Sequence, residues 1–314
     1  MKFALVFPGQ GSQSLGMMAS YGDSPAIRKT FDEASLALGR DLWKLATEGP
    51  AEALNQTVNT QPLMLAAGIA AYRLWLDKGG AQPSMVAGHS LGEYSALVAA
   101  GAMAFADAIP LVELRAKAMQ EAVPPGEGAM AAILGIDAAA VQAACAESAQ
   151  GQVVEAVNFN APEQIVIAGH AAAVQRAADA CKARGAKRAV LLPVSAPFHC
   201  SLMQPAAERL RQRLATIDVV EPKIQLINNV DVACHTDPVR IKDALVRQAA
   251  APVRWVETMQ MMAHQGITHV YECGPGKVLA GLVKRCSEGV VGDAMADLAG
   301  IEAGLAMVKE NTSC

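Results

Sequence analysis

Aromatic and charged residues are both scarce in this sequence of 314 residues. Phe, Trp and Tyr make up 4% of the chain and charged residues 18%, and the net charge is -4. Nucleic acids are bound by basic surfaces with stacking aromatic rings, and anionic membranes by a positive field. The composition therefore favours neither partner, and an anionic ligand would have to be bound by local cations.

Paired cysteines and long apolar runs are also missing. The seven cysteines include no C-x-x-C pair, so the sequence indicates neither a zinc site nor a disulfide framework, and a reducing cytoplasm is the expected compartment. The longest apolar run, residues 96–106, is far shorter than the roughly 18 residues of a membrane span. The stretch Phe3–Phe7 is likewise too short for a signal peptide. We therefore expect a soluble cytoplasmic protein without a metal.

Apolar residues, at 52%, and 26 glycines are arranged in an α/β rhythm. Residues 3–7 and 85–87 have the pattern of short buried strands, and glycine-containing turns and helices alternate with them. Between proline-containing breaks, residues 130–192 have the order βαββαβ, which is the ferredoxin-like signature. We predict a large α/β domain with a parallel sheet from residues 1–125 and 195–314, and an inserted ferredoxin-like small domain from residues 126–194.

The sharpest motif is Gly88-His89-Ser90-Leu91-Gly92, a G-x-S-x-G sequence between a predicted strand and an apolar helix. In this context a tight turn with small neighbours lifts the serine hydroxyl clear of the backbone. The N–H of Leu91 would point to the same side and form half of an oxyanion hole. The motif predicts an α/β-hydrolase-like large domain with Ser90 as nucleophile, and the alternative is a glycine-rich turn with an incidental serine.

A serine nucleophile needs a base, because its hydroxyl is weakly nucleophilic at neutral pH. His199 lies where the large domain resumes and can return to the sheet edge that carries Ser90, and serine before histidine is the α/β-hydrolase order. His89 adjoins the nucleophile, but a side chain at that position points the other way, which favours a supporting role. No acidic residue between Ser90 and His199 stands out as a third member of a triad.

Arg115 is a candidate cation on an amphipathic helix that follows the motif. Its immediate neighbours are apolar, but Glu113 and Lys117 lie within two residues of it. The spacing alone therefore leaves two interpretations open, a buried cation that binds an anionic substrate and a solvated helix face.

These motifs together resemble the malonyl-CoA:acyl carrier protein transacylase family over nearly the whole chain. The resemblance rests on Phe7-Pro8-Gly9-Gln10-Gly11-Ser12-Gln13, Gly88-His89-Ser90-Leu91-Gly92-Glu93-Tyr94, Arg115, Asn158-Phe159-Asn160, Pro197-Phe198-His199 and Tyr271-Glu272-Cys273-Gly274-Pro275-Gly276-Lys277. Several spaced motifs that coincide in one chain are far more specific than any one of them.

The resemblance implies a role for each catalytic position. Ser90 would be the acylated nucleophile and His199 its base. Gln10 and the N–H of Leu91 would hold the oxyanion. Gln248 would orient His199 through its backbone carbonyl, which accounts for the missing acid, since the family uses a Ser-His dyad.

The resemblance also implies how the substrate is bound. Arg115 would form a bidentate ion pair with the free carboxylate of a malonyl group. Phe198 matches the malonyl-selecting version of its loop. Gln61 and Asn160 would line the pocket, with His89 beside them.

The implied activity is that of an S-malonyltransferase. It would move malonyl from malonyl-CoA to the phosphopantetheine thiol of acyl carrier protein through a malonyl-serine, by ping-pong catalysis. We expect no cofactor and a monomer. The alternatives are a thioesterase that shares the serine turn, an acyltransferase of a polyketide pathway, and a non-catalytic module that retains the fold.

Overall fold

The computed structural model describes residues 1–194 and 196–311. Ser195, where the large domain is predicted to resume, and Cys314 lie outside the described residues. The strands, in chain order, are β1 (Phe3–Phe7), β2 (Met85–Gly88), β3 (Gly128–Leu134), β4 (Val154–Ala161), β5 (Gln164–His170), β6 (Arg188–Leu191), β7 (Gln225–Ile227), β8 (His269–Cys273) and β9 (Val291–Met295). The helices are α1 (Pro25–Leu38), α2 (Leu42–Glu48), α3 (Ala51–Leu54), α4 (Thr57–Asp77), α5 (Gly92–Ala99), α6 (Phe105–Glu121), α7 (Ala138–Ser148), α8 (Ala171–Ala183), α9 (Gln204–Leu214), α10 (Pro238–Gln248), α11 (Trp255–His264), α12 (Val278–Cys286) and α13 (Leu298–Glu310).

A parallel sheet with the order β7-β2-β1-β8-β9 forms the larger part of the molecule. The central strands β1 and β2 are apolar and buried along their whole length, as expected for strands covered on both faces. Leu5 and Phe7 face the core that includes α1, α4 and α6, and Ala4 and Val6 face α11 and α12. The carboxyl ends of β1, β2 and β7 therefore lie at one edge of the sheet.

Strands β3 to β6 form a separate antiparallel sheet with the order β4-β5-β3-β6. The elements from 128 to 191 follow the predicted order βαββαβ. Ile133 packs in the core with α7 and α8, whereas Met130 packs on the opposite face with residues of α6. Val253 joins this sheet to the larger part, because its N–H donates to the Val157 carbonyl at 2.8 Å and its carbonyl accepts from the Phe159 N–H at 3.0 Å.

The prediction of a mixed α/β protein with a parallel sheet is confirmed, but several helix bounds differ from those predicted. The helical pattern of residues 61–77 predicts a helix that starts at residue 61, but α4 begins at Thr57; its N-cap Gln56 makes no side-chain capping bond that would signal the earlier start. The pattern of residues 202–217 predicts one helix, whereas the chain forms a 3-10 turn at Ser201–Met203 followed by α9, which ends at Leu214. The structure also adds α1, α2, α3, β9 and α13 to the predicted elements.

Candidate active site

The tight turn between β2 and α5 carries Ser90 at the carboxyl edge of the parallel sheet. Ser90 has a φ of 53°, a strained conformation for a residue with a side chain. The turn closes only because its neighbours lack side chains. A Cβ at Gly88 would lie 1.8 Å from the carbonyl carbon of Gly92, and a Cβ at Gly92 would lie 2.0 Å from the Phe7 carbonyl oxygen.

Asn229, which follows β7, fixes the backbone of this turn. Its Oδ1 accepts the N–H of Ser90 at 2.8 Å, and its Nδ2 donates to the Gly88 carbonyl at 2.7 Å. One buried amide therefore satisfies a donor and an acceptor that the strained turn leaves without partners of its own.

His199 lies beside the serine, with its Nε2 2.7 Å from the Ser90 Oγ. Its Nδ1 is 2.9 Å from the Gln248 carbonyl oxygen, which can only accept, so Nδ1 carries the proton. Nε2 of the neutral ring is then free to accept from the serine hydroxyl. Burial and the neighbouring Arg115 guanidinium lower the pKa of His199 to about 3, so the ring is neutral near pH 7.

Arg115 is buried on α6, and the interpretation of this position as a solvated helix face is wrong. Its Nη1 donates to the Gln61 Oε1 at 2.8 Å, and its Nη2 donates to the Ser90 Oγ at 3.1 Å and to the Gln248 Oε1 at 2.9 Å. The guanidinium also lies over the Tyr94 ring at 5.4 Å. Burial lowers the pKa of Arg115, and its buried Nε has no hydrogen-bond partner among the described residues.

These groups open into a cavity of about 120 Å³ between the two sheets. Its polar lining consists of Gln10, Gln61, His89, Ser90, Arg115, Asn158 and His199. Its apolar lining consists of Leu91, Met119, Met130, Leu192, Val194 and Phe198. Gln10 follows β1, and its Nε2 donates to the Thr57 Oγ1 at 3.2 Å. An anionic group in this cavity would meet the fixed Arg115 guanidinium between a polar and an apolar part of the wall.

Asn160 does not line the cavity, in contrast to the sequence prediction, and Asn158 does. Both lie on β4, whose pairing with β5 is irregular on each side of this stretch. Asn160 Oδ1 lies instead 2.7 Å from the Nε2 of His89, and the His89 ring contacts Trp255 with centroids 5.4 Å apart. His89 thus has a supporting contact on one side and the cavity on the other.

Several residues of the site were not predicted from the sequence. Met130, Leu192 and Val194 come from the smaller sheet and the segment after it, and no local pattern indicates that they face Ser90. Asn229 lies two residues after a short strand, a position that marks a candidate polar residue without indicating what it contacts. Glu93 could have been found as a carboxylate in a helix that is otherwise apolar.

Other chemistries find little support in the described part of the chain. Burial raises the pKa of the Cys200 thiol to about 12, and the thiol donates to the Pro197 carbonyl at 3.1 Å, so it is not a nucleophile at neutral pH. Residues 1–194 and 196–311 contain no group of three His, Cys, Asp or Glu side chains that could hold a metal ion. Within the same ranges, no helix combines the length and apolar character that crossing a bilayer requires.

Comparison with known proteins identifies the class. Residues 4–302 match the family model of the acyl transferase domain. The chain is 56% identical over 305 residues to the malonyl CoA-acyl carrier protein transacylase of Salmonella typhimurium, covering 97% of this chain and 99% of that protein. It therefore belongs to the malonyl CoA-acyl carrier protein transacylase family.

Solved structures agree with this assignment. An acyl-carrier-protein S-malonyltransferase from Burkholderia pseudomallei superimposes with a TM-score of 0.96 at 61% identity, covering 98% of this chain and 100% of that chain. A malonyl-transacylase in complex with its type II PKS acyl-carrier protein superimposes with a TM-score of 0.96 at 52% identity, again covering 98% and 100% of the two chains.

Proposed function

We propose that this chain transfers a malonyl group from malonyl-CoA to the phosphopantetheine thiol of acyl carrier protein, through a malonyl ester of Ser90. One observation carries the proposal: the Ser90 Oγ is 2.7 Å from the His199 Nε2 and 3.1 Å from the Arg115 Nη2 in one cavity. A nucleophile, its base and an anchor for a carboxylate are thus within reach of one small acyl group. The names of the relatives support the same activity.

In the first half-reaction, His199 acts as the base. Its Nε2 takes the Ser90 hydroxyl proton as Oγ attacks the thioester carbonyl carbon. The oxyanion accepts hydrogen bonds from the N–H of Leu91, at the N-terminus of α5, and from one N–H of the Gln10 side-chain amide. The other N–H of that amide can keep its hydrogen bond to the Thr57 Oγ1. The C–S bond then breaks, and coenzyme A leaves with the proton that His199 returns.

The second half-reaction runs in reverse with a different thiol. His199 takes the proton of the phosphopantetheine thiol, the sulfur attacks the malonyl ester, and the proton returns to the Ser90 Oγ as the C–O bond breaks. The Gln248 carbonyl keeps the Nδ1 proton in place in both steps, in the position that a carboxylate holds in a triad. The apolar walls leave little to order a competing water.

Arg115 selects malonyl by pairing with its free carboxylate. A charge-assisted bond contributes roughly 1.5 to 3 kcal/mol, which corresponds to roughly a 10- to 150-fold preference over acetyl. The same ion pair would offset the positive charge that helps to lower the pKa of His199. Binding of the charged substrate would therefore also make the imidazole a better base.

The proposal also includes the domain organisation, the oligomeric state and the cellular location. We describe the larger part, residues 1–125 and 195–314, as α/β-hydrolase-like on the strength of its strand-serine-helix turn, although its sheet has a doubly wound order. Residues 126–194 form a ferredoxin-like domain, supported by the strand order β4-β5-β3-β6. A monomer without a cofactor remains our expectation. A cytoplasmic location is supported by the six free cysteines among the described residues.

A carrier protein of polyketide synthesis is a second candidate acceptor. It is favoured by the malonyl-transacylase solved with a type II PKS acyl-carrier protein, which shares 52% identity with this chain. The reaction would be the same, and only the acceptor would differ.

Mass spectrometry after mixing with malonyl-CoA tests the activity. We expect a stable malonyl adduct on Ser90 that holo-acyl carrier protein discharges, and no adduct with Ser90→Ala. Arg115→Ala should lower malonyl transfer by roughly 10- to 150-fold while acetyl transfer survives, because only malonyl has a carboxylate for the guanidinium to bind. Arg28→Ala, at an exposed arginine on α1, is the control and should change neither rate.

Three results would contradict the proposal. Prompt release of free malonate without carrier protein would indicate a thioesterase. Absence of any adduct would indicate a non-catalytic module. Equal losses of malonyl and acetyl transfer in Arg115→Ala would remove the selectivity role from Arg115.

A further inference from the structure

Glu93 is a buried carboxylate that the reaction above does not use. It lies in the first turn of α5, three residues after Ser90, and is 1% exposed. Its Oε2 accepts the N–H of Asn229 at 3.0 Å and the Nε2 of Gln248 at 2.9 Å. The carboxylate therefore joins the residue that fixes the serine turn to the end of helix α10.

The contacts of Gln248 give this carboxylate a specific consequence. The Gln248 Nε2 donates to Glu93 and also to the Ser90 carbonyl at 2.9 Å. A carbonyl accepts only, and so does an ionised carboxylate, so the NH2 end of the amide must face them. The amide oxygen must then face the Nη2 of Arg115, where it lies at 2.9 Å.

A reversed amide would have the opposite effect on the guanidinium. It would turn two N–H donors toward Arg115, which itself has only donors, and would turn an oxygen toward Glu93 and the Ser90 carbonyl. Arg115 would keep the Gln61 Oε1 and the Ser90 Oγ but lose the Gln248 Oε1, the shorter of the two contacts of its Nη2. The orientation of the buried cation thus depends on a carboxylate that does not contact it through a hydrogen bond.

Several charged and polar groups act on the Glu93 carboxylate. Burial raises its pKa to about 7, while the donors Gln248 and Asn229 and the charge of Arg115 lower it and Asp231 raises it. His235 and Asn228 line a very small cavity of about 10 Å³ on its other side. Since burying a carboxylate destabilises a fold relative to an apolar side chain of similar volume, its presence here calls for a role beyond packing.

We propose that Glu93 is a positioning residue for the charged acyl group: through the Gln248 amide, it holds the Arg115 guanidinium in the orientation that binds the malonyl carboxylate. The proposal rests on the proposed function of Arg115. It predicts that Glu93 affects malonyl transfer through KM and selectivity, and that it has little effect on acylation by a substrate without a carboxylate.

The test compares Glu93→Ala and Glu93→Gln with malonyl-CoA and acetyl-CoA as donors, with kcat and KM measured for each. Glu93→Ala should lower kcat/KM for malonyl roughly 10-fold or more, mainly through KM, because one buried N–H of Gln248 is left without its partner and only the Ser90 carbonyl then keeps the NH2 end of the amide in place. The acetyl rate should fall less than the malonyl rate, because the loss of the Asn229 N–H contact affects both donors alike. Glu93→Gln should restore most of the malonyl rate, since its amide oxygen can accept from both N–H groups.

Glu272→Ala is a matched control for the removal of a buried carboxylate. Glu272 is also buried, burial also raises its pKa to about 7, and its Oε2 accepts the Ala280 N–H at 2.8 Å at the start of α12. Its removal should lower thermal stability and leave the ratio of malonyl to acetyl transfer unchanged. A selectivity change in this control as large as that in Glu93→Ala would overturn the proposal.

Gln248→Met isolates the proposed link, because it removes the side-chain hydrogen bonds and retains the backbone carbonyl that accepts from His199. It should lower the ratio of malonyl to acetyl transfer by itself, and Glu93→Ala should then add no further change. An unchanged ratio of malonyl to acetyl transfer in Gln248→Met would overturn the proposal even where Glu93→Ala does not fold. Equal losses of malonyl and acetyl transfer in Glu93→Ala would overturn it as well. A wild-type chain that forms no malonyl-Ser90 would instead contradict the proposed function.

Discussion

Ser90 and His199 are partners in one hydrogen bond, but the chain holds them in different ways. Both have a positive φ, 53° and 66°. The serine lies in a turn between two regular elements, closed by backbone atoms in direct contact and fixed by Asn229. The histidine lies in an irregular segment between the two sheets, and its ring is held from behind by the Gln248 carbonyl. The position of the nucleophile thus depends mainly on close backbone packing in its turn, and that of the base on the packing of an irregular segment against distant parts of the chain.

Gly88→Ala should have the largest effect, because it removes the room on which the serine turn depends. The added Cβ would meet backbone atoms of Gly92 and Glu93 at 1.8 to 2.3 Å, and backbone cannot move aside as a flexible side chain can. We expect the free energy of unfolding in urea to fall by about 3 kcal/mol or more, with no malonyl adduct on Ser90.

Gly281→Ala is the control for this substitution. Gly281 is exposed in α12, and a Cβ there meets nothing within 4 Å. The substitution should raise the free energy of unfolding by roughly 0.5 to 1 kcal/mol, since alanine favours a helix more than glycine does. Wild-type stability in Gly88→Ala would show that the turn is less crowded than its geometry indicates.

Gly128→Ala disturbs the histidine side of the comparison. Its Cβ would lie 2.4 Å from the Cδ of Pro197, two residues before His199, and would push that segment without touching the serine turn. Because Pro197 lies in an irregular segment that can shift as a whole, we expect a loss of about 1 to 2 kcal/mol in the free energy of unfolding. The rate of malonyl-Ser90 formation, measured by mass spectrometry of quenched samples, should fall roughly 10-fold in a folded protein, because a small misplacement of the base slows the reaction.

An unchanged acylation rate in Gly128→Ala would mean that the histidine position does not depend on this contact. A stability loss as large as that of Gly88→Ala would remove the distinction between a rigid serine turn and a more adjustable histidine segment. Gly281→Ala again shows what an added methyl group does where there is space for it.

The same distinction explains how much could be predicted from the sequence. The strand-serine-helix turn was predictable because glycines at fixed spacing around Ser90 have a local steric cause. The order βαββαβ was predictable because its helical and strand periods alternate within about 60 residues, a span that covers the observed elements from 128 to 191. Local patterns of this kind need no knowledge of how the two sheets meet.

The rest of the site depends on contacts between distant segments. The burial of Arg115 was left open because Glu113 and Lys117 beside it suggest a solvated face, and only the packing of α6 under the smaller sheet decides it. Asn160 was predicted at the pocket, but the irregular pairing of β4 turns Asn158 into the cavity instead. Single residues after strands, such as Asn229, likewise give no sign of what they will meet.

The smallest expected effect concerns an ion pair that links the segment of Asn229, which fixes the serine turn, to the helix that ends at Gln248, which holds the histidine. Arg247 precedes Gln248, and its Nη1 and Nη2 donate to the two carboxylate oxygens of Asp231 at 2.8 Å, two residues after Asn229. Because the arginine side chain is 42% exposed, Arg247→Met should lower the free energy of unfolding at pH 7 by only about 0.5 to 1 kcal/mol. Arg209→Met, which removes the exposed ion pair with Glu121, is the control.

The pH dependence distinguishes this ion pair from general packing. Hydrogen bonds from Arg247 hold the pKa of Asp231 well below its ordinary value of 3.8. A carboxylate with a lowered pKa in the folded state stabilises the fold above its unfolded pKa, and this stabilisation is lost as the pH falls. The difference between wild type and Arg247→Met, measured by urea unfolding, should therefore shrink as the pH falls below about 4. If the difference in the free energy of unfolding stays constant down to pH 3, the effect comes from the packing of the arginine stem. The serine turn and the histidine segment would then be linked through Glu93 and Gln248 without a contribution from this surface ion pair.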